Sequence, residues 1–275
     1  MRVALAQMQS GIDPHANALA LVEAIKAAAR GGAAMVFTPE MSGLLDSDRG
    51  RSAANIYQEN HDPVLSRVCA AAAEHHVWVS LGSLALDGGA DGRRLNRSFL
   101  IDDQGSIRAR YDKMHLFDVD LPTGESWRES AAYAPGEDVV VVETPLGLLG
   151  LSVCYDLRFP ALYAAMSGAG ATVLSVPAAF TVPTGQAHWH VLLRARAIEN
   201  AAWVVAAAQS GEHQDGRKTY GHSLVVDPWG TVVLDMGEGL GVGFADIDPA
   251  RAKDVRARIP VLRHRRAIPE TVAVR

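Results

Sequence analysis

Cysteine is scarce: Cys69 and Cys154 are the only two in 275 residues. That count excludes a disulfide scaffold and leaves the thiols available in a reducing compartment, so a cytoplasmic location is expected. Long apolar runs are also missing. No stretch approaches the roughly 20 residues needed to span a bilayer. The opening MRVALAQMQSG is too short for the apolar part of a secretion signal, so no membrane partner is expected. Positive charge is not in excess either. A net charge of -5 gives no electrostatic reason to expect nucleic acid as a partner. No Gly-, Ser- and Pro-only linker divides the chain. What is present is 48% hydrophobic residues, enough for a sizeable core, at a length that suits one layered α/β domain. That single domain is expected over 1–275. From about residue 260 two prolines and several arginines read as an extended tail.

Strand-like and helix-like runs alternate from end to end. Met1–Gln7 alternates as a strand, and Asn17–Arg30 has helical spacing and stops at Gly31-Gly32. Ala34–Phe37 reads as a short strand, Pro63–His76 as an Ala-rich helix and Val77–Leu86 as a strand with a tight Gly82. Asp102–Gly105, Pro145–Gly147 and Asp227–Gly230 each lie between two strand-like runs and signal hairpins. Ala161–Ser167 and His188–Asn200 read as helices, with strands over 139–144, 148–153, 171–176 and 203–209. Hairpins mixed with βα units point to an α/β fold with mixed sheets and helices outside.

Three patterns carry chemistry, and each has an apolar strand delivering a reactive side chain at its end. In Val36-Phe37-Thr38-Pro39-Glu40 the carboxylate follows a buried strand, where desolvation would raise its pKa toward that of a working base. In Tyr111–Phe117, Lys113 sits among apolar and aromatic neighbours, where a fixed ammonium can stabilise an oxyanion. In Leu148–Pro160, Cys154 ends a strand before a polar turn and a helix. The Tyr155 N–H would then lie near a helix start as an oxyanion donor, and the helix end would favour the thiolate. Cys69, inside an Ala-rich helix, fits a buried structural thiol instead. A cysteine, a carboxylate and a cation form a set for acyl transfer: nucleophile, base and oxyanion holder.

Those three patterns, in this order and over essentially the whole chain, resemble the nitrilase-like carbon–nitrogen hydrolase superfamily. Within it the chain looks most like the deaminated glutathione amidase branch. The runs behind this are His115–Asp120, Cys154–Pro160, Thr184–His190 with Leu192–Asn200, and Tyr220–Gly230. The resemblance implies a four-layer αββα sandwich with two mixed β-sheets, a homodimer, and Glu40, Lys113 and Cys154 as the triad. Glu129 matches a second acid that orients Lys113 and substrate. Arg158 and Phe180 match substrate-binding positions. The implied partner is a small-molecule amide bearing carboxylates, and the implied reaction turns deaminated glutathione into 2-oxoglutarate and cysteinylglycine. Leu157, Ala161 and Gln186 depart from the branch's more frequent residues.

An ω-amidase acting on 2-oxoglutaramate is the alternative, although Arg158-Phe159-Pro160-Ala161 departs from its pattern. A carbamoyl amino acid hydrolase fits less well. So does a true nitrilase, because Tyr155-Asp156 stands where a Trp-Glu pair is common. A non-catalytic binding protein would lack one of the three reactive residues, and a redox thiol protein would want a Cys-x-x-Cys. No cofactor is expected. No metal site is expected either: His188 and His190 are two apart on a helix, His75 and His76 are adjacent, and neither pair has partners at ligand spacing. Arg263–Arg266 reads as a solvated or dimer-contacting tail.

Overall fold

The computed structural model describes residues 1–120, 124 and 126–270. In chain order the first half runs β1 (Arg2–Gln7), α1 (Pro14–Arg30), β2 (Met35–Phe37), α2 (Arg49–Ser52), α3 (Pro63–His75), β3 (Trp78–Leu86), β4 (Leu95–Ile101), β5 (Ile107–Asp112), β6 (Asp118–Asp120) and β7 (Ser126–Arg128). The second half runs β8 (Val141–Thr144), β9 (Gly147–Leu151), α4 (Pro160–Gly168), β10 (Val173–Ser175), α5 (Val182–Asn200), β11 (Trp203–Ala206), β12 (Ser210–Glu212) and β13 (Lys218–Tyr220). It closes with β14 (Leu224–Val226), β15 (Val232–Asp235), β16 (Gly241–Asp246), α6 (Pro249–Arg258) and α7 (Val261–His264).

Two six-stranded sheets form, in the orders β16-β1-β2-β3-β4-β5 and β15-β14-β11-β10-β9-β8. Each has a parallel centre, β1-β2-β3 and β9-β10-β11, flanked by antiparallel strands. Parallel centres arise because helices carry the chain back over the sheet, while antiparallel flanks follow from the short hairpins. Alternate side chains of the first sheet split between two cores. Ala4, Val36 and Val79 pack with α1 and α3 through Leu21, Ile25 and Val68. Val3, Leu5 and Phe37 face the second sheet, whose other side is covered by Tyr163, Trp189 and Leu193 of α4 and α5. The layers are therefore α, β, β, α, as expected.

Helix starts follow their local chemistry. The side chains of Asp13, Asp62 and Asp248 cap α1, α3 and α6, each followed by proline at the first turn. Helix α5 begins at Val182, whereas the sequence reading began it at His188. Pro183 falls in the first turn, where proline is at home. Gly185 is there for space, since a Cβ would lie 2.2 Å from the Tyr220 ring. The strand expected over 171–176 is only Val173–Ser175, and the one expected over 203–209 ends at Ala206. The two small hairpins β6–β7 and β12–β13 were not anticipated, because three-residue polar strands show no apolar alternation.

The expected extended tail starts instead with α7. Arg265 then donates to Ala164 O at 2.7 Å and Asn200 Oδ1 at 2.9 Å, fastening the segment to α4 and α5. Residues 271–275 of that tail lie outside the described residues. No helix among the described residues is long and apolar enough to cross a membrane.

Candidate active site

Three strand ends meet between the sheets. Glu40 follows β2, Lys113 follows β5 and Cys154 follows β9. Gly82 of β3 makes room for the first of these, because a Cβ there would sit 2.2 Å from Thr38 O and 2.4 Å from Pro39 O. Glu40, Lys113 and Cys154 are 5%, 2% and 8% exposed, and all three line one cavity of about 420 Å³. Lys113 Nζ donates to Glu40 Oε1 at 2.8 Å and to Glu129 Oε2 at 2.8 Å. The Cys154 thiol adjoins the Glu40 carboxylate closely enough for that charge to act on it. Glu40 also accepts from Asn96 Nδ2 at 2.9 Å and from the Ala179 N–H at 3.0 Å.

The charges follow from this packing. Burial alone would raise Glu40, but Lys113, the thiol and Asn96 outweigh it and hold the carboxyl below its ordinary range. Burial alone would discharge Lys113, but Glu129 and Glu40 keep it an ammonium. Burial and the adjacent Glu40 carboxylate push the Cys154 thiol well above its usual value. The resting state is therefore thiol, carboxylate and ammonium. This corrects two expectations: Glu40 is lowered, not raised, and the thiol is protonated at rest, not a thiolate. Lys113 beside Glu40 causes the first, and burial together with the Glu40 carboxylate causes the second, which strand ends in the sequence do not reveal.

Cys154 begins a single turn of 3₁₀ helix over Cys154–Arg158, with φ of 50°. A non-glycine residue in that region is strained and is retained where structure or function requires it. Its N–H donates to Pro177 O at 2.8 Å. Asp156, two residues on, ties the turn to the Lys113 segment. Its Oδ2 accepts from Tyr111 Oη at 2.7 Å and from the Val153 N–H at 2.8 Å. Its Oδ1 accepts from the His115 N–H at 3.0 Å and lies 2.7 Å from His115 Nδ1. No acceptor among the described residues takes the Tyr155 N–H, so it is available beside the thiol.

Glu129 follows the β6–β7 hairpin, which brings it back to Lys113, and it also accepts from Asn96 Nδ2 at 3.1 Å. Arg158 lines the same cavity, its guanidinium 5.9 Å from the Tyr155 ring centre and 5.7 Å from that of Phe180. It pairs with neither Asp156 nor Glu199; its Nη2 lies 3.2 Å from His188 Nδ1, while Glu199 takes Arg196 at 2.7 Å. Phe180 is buried and packs on Trp189 with ring centres 4.8 Å apart. Sequence reasoning missed Asn96, Ala179 and the role of Asp156. Only Asp156 left a signal, as a charged residue directly after the Cys154-Tyr155 pair.

A buried cysteine thus stands beside a carboxylate that is paired with a doubly held lysine. Residues 2–257 match the carbon-nitrogen hydrolase family. The chain belongs to that family. Deaminated glutathione amidase of Yersinia enterocolitica is 40% identical over 272 residues, covering 98% of this chain and 94% of that protein. Deaminated glutathione amidase of Homo sapiens is 40% identical over 269 residues, 96% and 82% of the two chains. The Caenorhabditis elegans NitFhit crystal structure superposes at a TM-score of 0.89 with 40% identity. It matches 96% of this chain and 65% of that longer protein. A variant of the amidase from Nesterenkonia sp. AN1, at a TM-score of 0.77 and 29% identity, carries acrylamide added to its active site cysteine. That match covers 94% of this chain and 98% of that one. This carbon-nitrogen hydrolase is accordingly an enzyme acting on C–N bonds.

The histidines redistribute in a way their spacing hid. His188 goes to Arg158, whereas His190 meets His222 and Asp235, with donor atoms of the three all within 4.8 Å. Hydrogen bonds already join them: His190 Nε2 lies 3.0 Å from Asp235 Oδ2 and His222 Nδ1 lies 2.9 Å from Asp235 Oδ1. Around the thiol, by contrast, Lys113 fills the space between the carboxylates of Glu40 and Glu129.

Proposed function

We propose that this enzyme is a cysteine amidase that converts deaminated glutathione into 2-oxoglutarate and cysteinylglycine. The observation that carries the reaction type is the Cys154–Glu40–Lys113–Glu129 cluster on the wall of the cavity. The thiol gives its proton to the Glu40 carboxylate as sulfur attacks the amide carbonyl carbon. Proton transfer and attack are concerted, because a raised thiol pKa beside a lowered carboxyl makes a free thiolate costly. An ammonium has three N–H bonds. Glu40 and both oxygens of Glu129 accept from them on Lys113, and the ammonium charge so fixed, with the Tyr155 N–H, holds the oxyanion. Glu129 acts by positioning Lys113. Protonated Glu40 then passes its proton to the departing nitrogen, the C–N bond breaks and a thioester remains. Water, deprotonated by Glu40, attacks the thioester; its collapse releases the acid and restores the thiol.

Charge and size support the substrate. The cavity is lined by six cationic side chains against three carboxylates, which suits a substrate with a carboxylate at each end. Its volume of about 420 Å³ lies in the range of about 300–1,000 Å³ that holds a molecule of this size. Arg158 and Phe180 are the residues assigned to the 2-oxo acid end. Two relatives at 40% identity bear the name of this activity. The test is release of 2-oxoglutarate from deaminated glutathione, 2-oxoglutaramate and N-carbamoyl amino acids offered side by side. Preference for the first supports the assignment; turnover of a carbamoyl compound alone overturns it.

The reading includes a cytoplasmic homodimer. Two free cysteines suit a reducing compartment. Exposed Val191 and Ile198 on α5, and Trp229 near them in the β14–β15 turn, offer an apolar face to a second copy. Light scattering that gives a monomer mass at micromolar concentration overturns the dimer.

A further inference from the structure

Two buried donors in the catalytic cavity point nowhere useful within the protein. Arg217 Nε and Trp127 Nε1 are shielded from solvent, and neither has an acceptor among the described residues. Both residues line the cavity that holds Cys154. They also touch each other, the Arg217 guanidinium lying 4.8 Å from the centre of the Trp127 ring. A buried donor without a partner costs about 1–3 kcal/mol, and more where the group is charged. Such groups are rare in folded proteins and call for an explanation.

The other arginines of this wall are engaged. Arg128 makes a two-pronged contact with Asp120, both distances 2.9 Å. Arg49 donates to Arg128 O at 3.0 Å, and Arg94 donates to Ser52 Oγ at 3.1 Å. Arg217 has only a loose pairing, Nη2 to Asp215 Oδ2 at 3.4 Å. Asp215 spends its oxygens on backbone, accepting from the Ser47 N–H at 2.8 Å and the Arg217 N–H at 3.0 Å. The guanidinium is thus held in place from behind, stacked on an indole, with its Nε edge unused. Stacking on an aromatic face fixes a guanidinium without consuming its hydrogen-bond donors.

We propose that Arg217, with Trp127 Nε1 as a second donor, forms a carboxylate subsite for the leaving half of the substrate. This rests on the amidase reading above and extends it to the leaving group. The chemistry is specific. A carboxylate has lone pairs for both N–H groups and the charge to match Arg217. Arg158 stands beside Tyr155 and Phe180, at the end of the turn that Cys154 begins, and serves the acyl half. Arg217 comes from a different segment, the β12–β13 turn just before Lys218, whose Asp215 accepts from the exposed Ser47. A substrate gripped at both places carries one carboxylate on the acyl side and one on the amine side, as an amide whose leaving group is a peptide ending in a free carboxylate. An amide that releases ammonia makes only the first contact. Selectivity for peptide-bearing over simple amides is then a property of Arg217.

The experiment compares kcat/KM for deaminated glutathione and for 2-oxoglutaramate in wild type, Arg217→Gln and Arg217→Lys. The ratio between the two substrates is expected to fall by about 10- to 100-fold in Arg217→Gln, the range for one charge-assisted hydrogen bond. Arg217→Lys keeps the charge but not the Nε edge and is expected to fall in between. Amidation of the glycine carboxylate of the substrate is expected to cost the wild type the same factor and Arg217→Gln little more. An unchanged ratio, or equal sensitivity of both proteins to that amidation, overturns the subsite. Failure of the wild type to hydrolyse either substrate sinks the amidase reading separately. Calorimetric binding of cysteinylglycine then decides the subsite without turnover: binding lost in Arg217→Gln supports it, and binding absent in wild type or equal in both overturns it.

Discussion

Replacing Glu40 by Gln removes one negative charge and one proton acceptor with little change of shape. Loss of the base costs about 100- to 10,000-fold in kcat/KM, or about 2.7–5.4 kcal/mol at the usual conversion. The same change has an opposite effect on the nucleophile. The Glu40 carboxylate is one of the causes that hold the Cys154 thiol well above its ordinary range. Lys113 keeps Glu129 as a counter-ion in the variant, so the ammonium beside the thiol stays in place. The thiolate is favoured once the neighbouring negative charge is gone, so its titration moves down. The assay is the pH dependence of iodoacetamide alkylation at Cys154, followed by mass spectrometry, with Cys69 as the internal reference. Cys69 is raised by its own burial and has no contact with Glu40. The variant is therefore expected to be a poor amidase with a more acidic thiol. An unmoved or raised midpoint would show that Glu40 does not face the thiol, and retained turnover would remove it as the base.

Four further outcomes are expected. Cys154→Ala abolishes hydrolysis and leaves the fold intact, while Cys69→Ala keeps its activity; circular dichroism and turnover read both. Lys113→Ala loses about 100- to 1,000-fold in kcat as an oxyanion donor, and its combination with Glu40→Gln is far less than additive because the groups act as a unit. Asp156→Asn removes a buried anion that accepts from Tyr111, Val153 and His115. At about 1.5–3 kcal/mol for a hydrogen bond to a charged group, its Tm falls clearly and turnover falls with it; an unchanged Tm would refute its bracing role. Arg158→Lys raises KM for 2-oxo acid amides with Tm preserved, because the guanidinium has no ion pair to lose among the described residues. A lower Tm at constant KM would assign Arg158 a structural part instead.

Sequence by itself determined the alternation of strands and helices, because apolar periodicity and glycine stops are local signals. It also delivered Glu40, Lys113 and Cys154 as candidates, since each follows an apolar strand and reactive side chains at strand ends are held by a rigid frame. It could not determine their charge states. Those depend on which groups lie within a few ångström of one another, and Glu40, Lys113 and Cys154 are far apart along the chain. The same limit hid Asn96, which lies two strands from β2 in the same sheet, and Ala179, which meets Glu40 only because the second sheet packs face to face with the first. It hid the partners of His190, since His222 and Asp235 are distant in sequence and the spacing of His188 and His190 points to neither. It also hid Arg217, an ordinary turn arginine by its neighbours Gly216 and Lys218. Only the folded chain stacks it on Trp127 inside the catalytic cavity, and only burial makes its unused donor costly enough to carry meaning.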